Sequence, residues 1–274
     1  MRVVDFLERS SQLYQDKPAV IVEGGPSLTH RELRDRAMKV AGGFERLGVR
    51  RGDRVGVIAP NGLTFFDVYL ACAYLAAVAV PVSFRLTAAE ATTQLADAAP
   101  RLLVVDPKYR DRFDGIAPSN CAVLLTDGDE YATLLNTEAP VGLVERALAE
   151  DIALMIYTSG TTGTAKGVCI SQRALTANAV SMSLGQRIVH EDVFMSITPL
   201  YHAATGVRIV ANLIDGQTHV VLDEFSVENV LSAIERHRVT TFIAVPTQLR
   251  RIVEYPDIAR FDLTSLRLIT YGAA

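Results

Sequence analysis

A basic excess is the first thing this sequence lacks. Its 27 lysines and arginines are outnumbered by 31 aspartates and glutamates, a formal charge of −4, and the pI is about 5.8. Nothing here can neutralise a phosphate backbone, so nucleic acid is a poor partner and a small ligand the better default. Cysteine is scarce as well. Cys72, Cys121 and Cys169 are far apart, odd in number and in no CxxC pairing, which indicates neither a disulfide framework nor a zinc site and fits a reducing cytoplasm. The most apolar run, VYLACAYLAAVAVPV from Val68 to Val82, carries no charge. It falls short of the roughly 18 apolar residues of a spanning helix, and Pro81 interrupts its end, so it reads as a buried helix running into a strand. The amino terminus, MRVVDFLERS, has Asp5 and Glu8 where a signal peptide needs unbroken apolar residues, and secretion is unsupported. Internal repeats, low-complexity tracts and an obvious linker are missing too.

What is present is ordinary globular material: 274 residues, 49% hydrophobic and 21% charged, enough for one large core or two smaller ones. Apolar β-rich runs alternate with helical patterns, the signature of mostly parallel sheets covered by helices, so the expected class is α/β. Thr29 and Glu32 have capping-box spacing and open a helix towards Leu47; Thr87 and Glu90 repeat it. RVGVIA at Arg54–Ala59, VFMSIT at Val193–Thr198, THVVL at Thr218–Leu222 and TFIAV at Thr241–Val245 read as strands. Ser226 caps a helix whose Val227, Val230, Leu231 and Ile234 share one face. The stretch from Asp106 to Ala149 reads as the least structured, a surface excursion.

The segment ALMIYTSGTTGTAKGVCI, Ala153–Ile170, is more specific. Between Thr158 and Lys166 it carries five hydroxyl side chains, two glycines and one lysine in nine residues. Small residues let backbone N–H groups approach a ligand, hydroxyls donate hydrogen bonds, and lysine brings a positive charge, a combination suited to a polyphosphate. A plain turn is the bland alternative. The G-x-x-x-x-G-K-[ST] phosphate loop is the nearest rival, and it fails at two positions: Ala165 stands where its second glycine belongs, and Gly167 replaces the magnesium-binding hydroxyl. Further on, PLYHAATG at Pro199–Gly206 places His202 just past a strand end, where α/β sheets carry ligands.

YTSGTTGTAKG resembles the signature loop of the acyl-adenylate-forming superfamily, with Ala165 where most members have proline. LTHREL at Leu28–Leu33, GDRVGV at Gly52–Val57 and LAAVAVPVSFRLTAAE at Leu75–Glu90 are similar to that family's early structural motifs, PLYHAATG to a motif of its acyl-CoA ligases, FIAVPTQLRRI at Phe242–Ile252 to a pocket wall, and LRLITYGAA at Leu266–Ala274 to a strand and turn between adenine and acyl chain. The resemblance implies an αβαβα-type layered fold: residues 1–274 as an incomplete amino-terminal domain, with subdomains at approximately 51–190 and at 1–50 plus 191–274, and no carboxy-terminal domain. It implies an ATP-dependent acid–CoA ligase using a carboxylic acid, ATP with Mg2+, and coenzyme A, with the fragment inactive alone. Thr158, Ser159, Gly160, Thr161, Thr162, Gly163 and Lys166 would hold phosphates, Thr162 and Lys166 acting in catalysis. Gly272 and Ala273 would lie along the nucleotide, and His202, Thr247 and Tyr271 along the acid, for which a fatty acid is the first choice and an aryl acid the second. A non-catalytic nucleotide-binding or assembly module, or another adenylating enzyme of the superfamily, stays open. LRLIT is expected to be a buried parallel strand whose edge promotes homo-oligomers of the chain.

Overall fold

The computed structural model describes residues 1–136, 142, 147–158 and 165–272. Helix α1 (Val3–Leu13) leads to the antiparallel pair β1 (Pro18–Val22) and β2 (Ser27–Thr29). Helix α2 (His30–Arg46) then starts where the capping spacing predicts: the Glu32 N–H donates to Thr29 Oγ1 at 3.2 Å, and the Thr29 N–H to Glu32 Oε2 at 2.8 Å. Strand β3 (Arg54–Ile58), helix α3 (Leu63–Leu75) and strand β4 (Val78–Pro81) follow. Helix α3 is buried from Phe65 to Leu75, which is why its sequence shows no polar stripe and reads as one apolar run. Thr87 closes a second capping box with Glu90 at the head of α4 (Ala88–Ala98), before β5 (Leu102–Val105).

The supposed excursion after Asp106 holds more order than its sequence shows. Strand β6 (Ala122–Leu125) and helix α5 (Asp129–Leu135) lie inside it. In β6 only Leu124 is fully buried, because the strand sits at a sheet edge, so the apolar alternation that announces a strand is faint. Next come β7 (Ile152–Thr158), β8 (Lys166–Ser171), α6 (Gln172–Gln186), β9 (Val193–Ser196), α7 (Ala203–Gly206), α8 (Arg208–Ile214), β10 (Thr218–Val221), α9 (Val227–His237), β11 (Thr241–Ala244), α10 (Pro246–Val253) and β12 (Leu268–Tyr271).

The chain divides into two compact units: Met1–Glu8 with Arg34–Ala177, and Arg9–Leu33 with Asn178–Ala274. In the first, a six-stranded sheet runs β6-β5-β3-β4-β7-β8, parallel except for the β7/β8 hairpin. Asp67, 1% exposed on α3, is held by a two-pronged bond from Arg36 (2.7 and 2.8 Å) and by the Tyr131 hydroxyl, tying α2 and α5 to α3. A buried carboxylate is tolerable only when satisfied in this way.

In the second unit the order is β12-β11-β9-β10-β1-β2, parallel except for β1/β2. One face is apolar: Met195, Val220 and Phe242, in register on β9, β10 and β11, pack against Val230, Leu231 and Ile234 of α9. One carboxylate pins the starts of three strands. Asp192, just before β9, accepts from Thr240 Oγ1 before β11 and from Arg267 Nε before β12, both at 2.7 Å, and from the Val189 N–H at 3.0 Å. Burial opposes that charge, but the bonds from Arg267, the Val189 N–H and Thr240 hold the carboxyl below its ordinary pKa. LRLIT does form a parallel strand, on β11, but Leu268–Thr270 are half-buried rather than buried, because β12 is an end strand of its sheet among the described residues.

Candidate functional site

In the first unit, the hydroxyl-rich segment joins β7 to β8. Thr158, the last residue of β7, pairs with Lys166, the first of β8, so the two ends of the segment are held a strand spacing apart with both residues exposed. Ser159, Gly160, Thr161, Thr162 and Gly163, and Ala273 at the other end of the chain, lie outside the described residues. The hairpin stem below is fixed by packing. The Tyr157 hydroxyl donates to Asp97 Oδ2 at 2.5 Å, and burial, followed by that hydrogen bond and the Asp97 charge, pushes this phenol's pKa up. A side chain on Gly167 would meet Met155 at 3.1 Å and the Tyr157 ring at 3.2 Å. The glycine after Lys166 is therefore small for the sake of the stem.

In the second unit the structure brings His202, Thr247, Tyr271 and Gly272 to one edge. They follow, or end, β9, β11 and β12, three adjacent parallel strands, at their carboxyl ends. His202 is the residue before α7; its N–H donates to Pro199 O at 3.1 Å, and its carbonyl accepts from the N–H groups of Thr205 (3.1 Å) and Gly206 (2.8 Å), closing a tight turn. The buried Thr198 and Thr205 hydroxyls bond to each other, fastening this turn to the strand that feeds it. The His202 ring, exposed, lies 4.5 Å from the Tyr201 ring, centroid to centroid.

Pro246 is the first residue of α10, where a missing N–H costs nothing, and exposed Thr247 follows it. Tyr271, 67% exposed, pairs in register with Ala244, and the Gly272 N–H donates to Ala244 O at 3.4 Å. Gln248, which the sequence reading passed over, joins these ends: it accepts from the Val245 N–H at 3.2 Å and donates to Ile197 O at 3.1 Å, linking the exit of β11 to the exit of β9. Nothing in FIAVPTQLRRI marks that glutamine, since its spacing is that of any polar residue in a first helical turn. Arg208 is the other omission, and it had a signal: a lone charge between Val207 and Ile209 in an otherwise apolar stretch.

Among the described residues no group of three or more His, Cys, Asp or Glu side chains is placed to hold a metal ion, and no helix is long and apolar enough to cross a membrane. What the strand-end edge offers is backbone N–H groups, one imidazole, one phenol and hydroxyls, at the location where parallel α/β sheets bind ligands.

Residues 7–274 match the family described as AMP-binding enzyme. The sequence is 33% identical over 252 residues to the feruloyl-CoA synthase of an Amycolatopsis species, an alignment covering 92% of this chain and 50% of that protein. The chain thus spans about half the length of the curated relatives it matches. Among solved structures, the O-succinylbenzoate coenzyme A synthetase of Bacillus subtilis in complex with AMP superimposes with a TM-score of 0.85 at 28% identity, over 98% of this chain and 67% of that one. The amino-terminal domain of FACL13 from Mycobacterium tuberculosis superimposes with a TM-score of 0.92 at 23% identity, over 100% of this chain and 70% of that one, a likeness of fold.

Proposed function

From the premise that the chain belongs to the AMP-binding enzyme family, we propose that it forms part of an AMP-forming acid–CoA ligase. The carboxylate of a small acid attacks the α-phosphorus of ATP, giving acyl-AMP and pyrophosphate; the thiol of coenzyme A then displaces AMP. The observation that carries this reading is the pairing of Thr158 with Lys166, which holds the two ends of a segment of hydroxyls and glycines a strand spacing apart, with a lysine at its exit. Such a segment acts by position and charge. Its hydroxyls and N–H groups, with the Lys166 ammonium, stabilise the negative charge that builds on the phosphates as the bond to the α-phosphorus breaks.

His202, Thr247 and Tyr271 line the acid, and Gly272 with Ala273 leave room for nucleotide against backbone. Among the described residues no group of three or more His, Cys, Asp or Glu side chains is placed to hold the Mg2+ that would accompany ATP. The acid is of the kind the relatives' names suggest, an aryl acid ahead of a plain fatty acid, and the setting is cytoplasmic. The activity belongs to the whole protein, of which the chain is about half by its relatives' length; the 274-residue chain alone is expected to form no thioester.

ATP–pyrophosphate exchange by the full-length protein, across a panel of aryl and alkyl acids, tests the proposal. Exchange that depends on an acid supports it. Tight ATP binding with no exchange for any acid would favour a binding module instead.

A further inference from the structure

The two faces of the second unit's sheet differ in kind. Against the apolar face on α9, the face on α8 is buried and polar. Arg208, the first residue of α8, is 1% exposed; its guanidinium carbon lies 4.6 Å from the centre of the Phe194 ring. Its Nη2 donates to Gln186 Oε1, while Nε and Nη1 have no acceptor. One turn further along α8, Asn212, 3% exposed, has both amide atoms unpartnered, and on β11 the Thr241 hydroxyl, 3% exposed, has none either. Among the described residues no carboxylate forms an ion pair with Arg208, and burial pulls its pKa down to about 10.

Buried charge is expensive unless paired, and buried donors left open are uncommon enough that each needs an occupant, water or ligand. The layer also has a direction. Phe194 and Ser196 alternate along β9 on this face, and Thr198 follows two residues past its end. Ser196 Oγ lies 2.5 Å from His219 Nε2, and Thr198 bonds to Thr205 in α7. Polar groups therefore run from the level of Arg208 past the end of β9 to the turn that carries His202, four residues that span at most about 13 Å. His219 adds no charge to this column: burial first, and the Arg208 charge second, lower its pKa to about 3.

We propose that this layer is the far end of the acid-binding site and that Arg208 receives a second carboxylate, so that the preferred acid is a dicarboxylate with its charged ends about 10–13 Å apart. The inference rests on the reading that the reacting carboxylate sits at the strand-end edge near His202. Guanidinium suits the role because it stays charged when desolvated and forks onto two oxygens. Dicarboxylates with adjacent carboxylates are too short to span the column.

The test is ATP–pyrophosphate exchange by the full-length protein with acids of matched length ending in carboxylate, hydroxyl or methyl. The carboxylate-ended acid should have a kcat/KM about tenfold or more above the methyl-ended one. Arg208→Met should abolish that preference while keeping exchange with the methyl-ended acid. A preference for methyl or hydroxyl ends, or a carboxylate preference that survives Arg208→Met, overturns the proposal and leaves the layer to water. If Arg208→Met does not fold, as judged by circular dichroism, the wild-type ranking decides alone. Failure of every acid would bring down the adenylation reading and this inference together, whereas good exchange with methyl-ended acids only would bring down this inference and leave the reading standing.

Discussion

Lys166 and the buried histidines show how much a residue's role depends on what surrounds it. Lys166 is exposed at the head of β8, so Lys166→Ala should leave the fold intact and remove one charge-assisted contact to phosphate. The expected loss in pyrophosphate exchange by the full-length protein is about tenfold to a hundredfold; Thr162→Ala should show a smaller loss in the same assay. Unchanged exchange in both would take the loop out of the mechanism. His30 and His219, 0% and 1% exposed, act through protonation instead. Burial, reinforced by Lys17 for the first and Arg208 for the second, lowers their pKa values to about 4 and about 3. The unfolded chain binds those protons near pH 6.5 and the folded chain does not, so stability is full above about pH 6.5 and is lost as pH falls towards the folded values. Each histidine contributes a slope of about 1.4 kcal/mol per pH unit in that window. Denaturant titrations between pH 7.5 and 5 should show that fall, with about half of it removed in His219→Gln; a flat profile would contradict the burial of both rings.

Elements are joined here by contacts that a local pattern does not announce. Gly216, in the turn between α8 and β10, has φ +65°, and a Cβ there would sit 2.0 Å from the Tyr14 ring. Ala at this position pays for the left-handed backbone, about 1–2 kcal/mol, and for the overlap, about 1–3 kcal/mol. Gly216→Ala should therefore be destabilised by roughly 3 kcal/mol in chemical unfolding, and a Tyr14→Ala background should restore the overlap part only. Capping boxes behave in the opposite way. Thr29 with Glu32 and Thr87 with Glu90 close hydrogen bonds three residues apart, so the residues that form them also predict them. Asp192 lies between these cases: it gathers Thr240 and Arg267 from 48 and 75 residues away, and a single acidic residue before a strand gives no hint of that.

At the scale of the whole molecule, sheet edges decide behaviour. Strand β12 ends its sheet among the described residues, with Leu268–Thr270 half-buried and Tyr271 67% exposed. An open edge beside partly buried apolar side chains favours pairing with another chain. The 274-residue chain is expected to self-associate at micromolar concentration in light scattering, and added salt should not dissolve the contact, because apolar burial is not screened as exposed charges are. A stable monomer with fast amide exchange across β12 would contradict this.

Sequence alone determined the class and the place of the long elements. Periodicity and capping are local properties, so α2, α4, α9 and the buried strands β3, β9, β10 and β11 were legible in the sequence. The hydroxyl- and glycine-rich segment stood out as a sequence pattern because its residues are consecutive, though all but its ends lie outside the described residues. Tertiary structure decided the rest. It found β6 and α5 where edge exposure had blurred the pattern, brought His202, Thr247 and Tyr271 to one edge by placing β9, β11 and β12 side by side, and linked the exits of β9 and β11 through Gln248. It also gave the second sheet one apolar and one polar face, with Arg208 buried in the latter. The reason is distance along the chain: a hydrogen bond or a missing partner between residues tens of positions apart depends on which strands become neighbours, and strand order leaves no mark on any single segment.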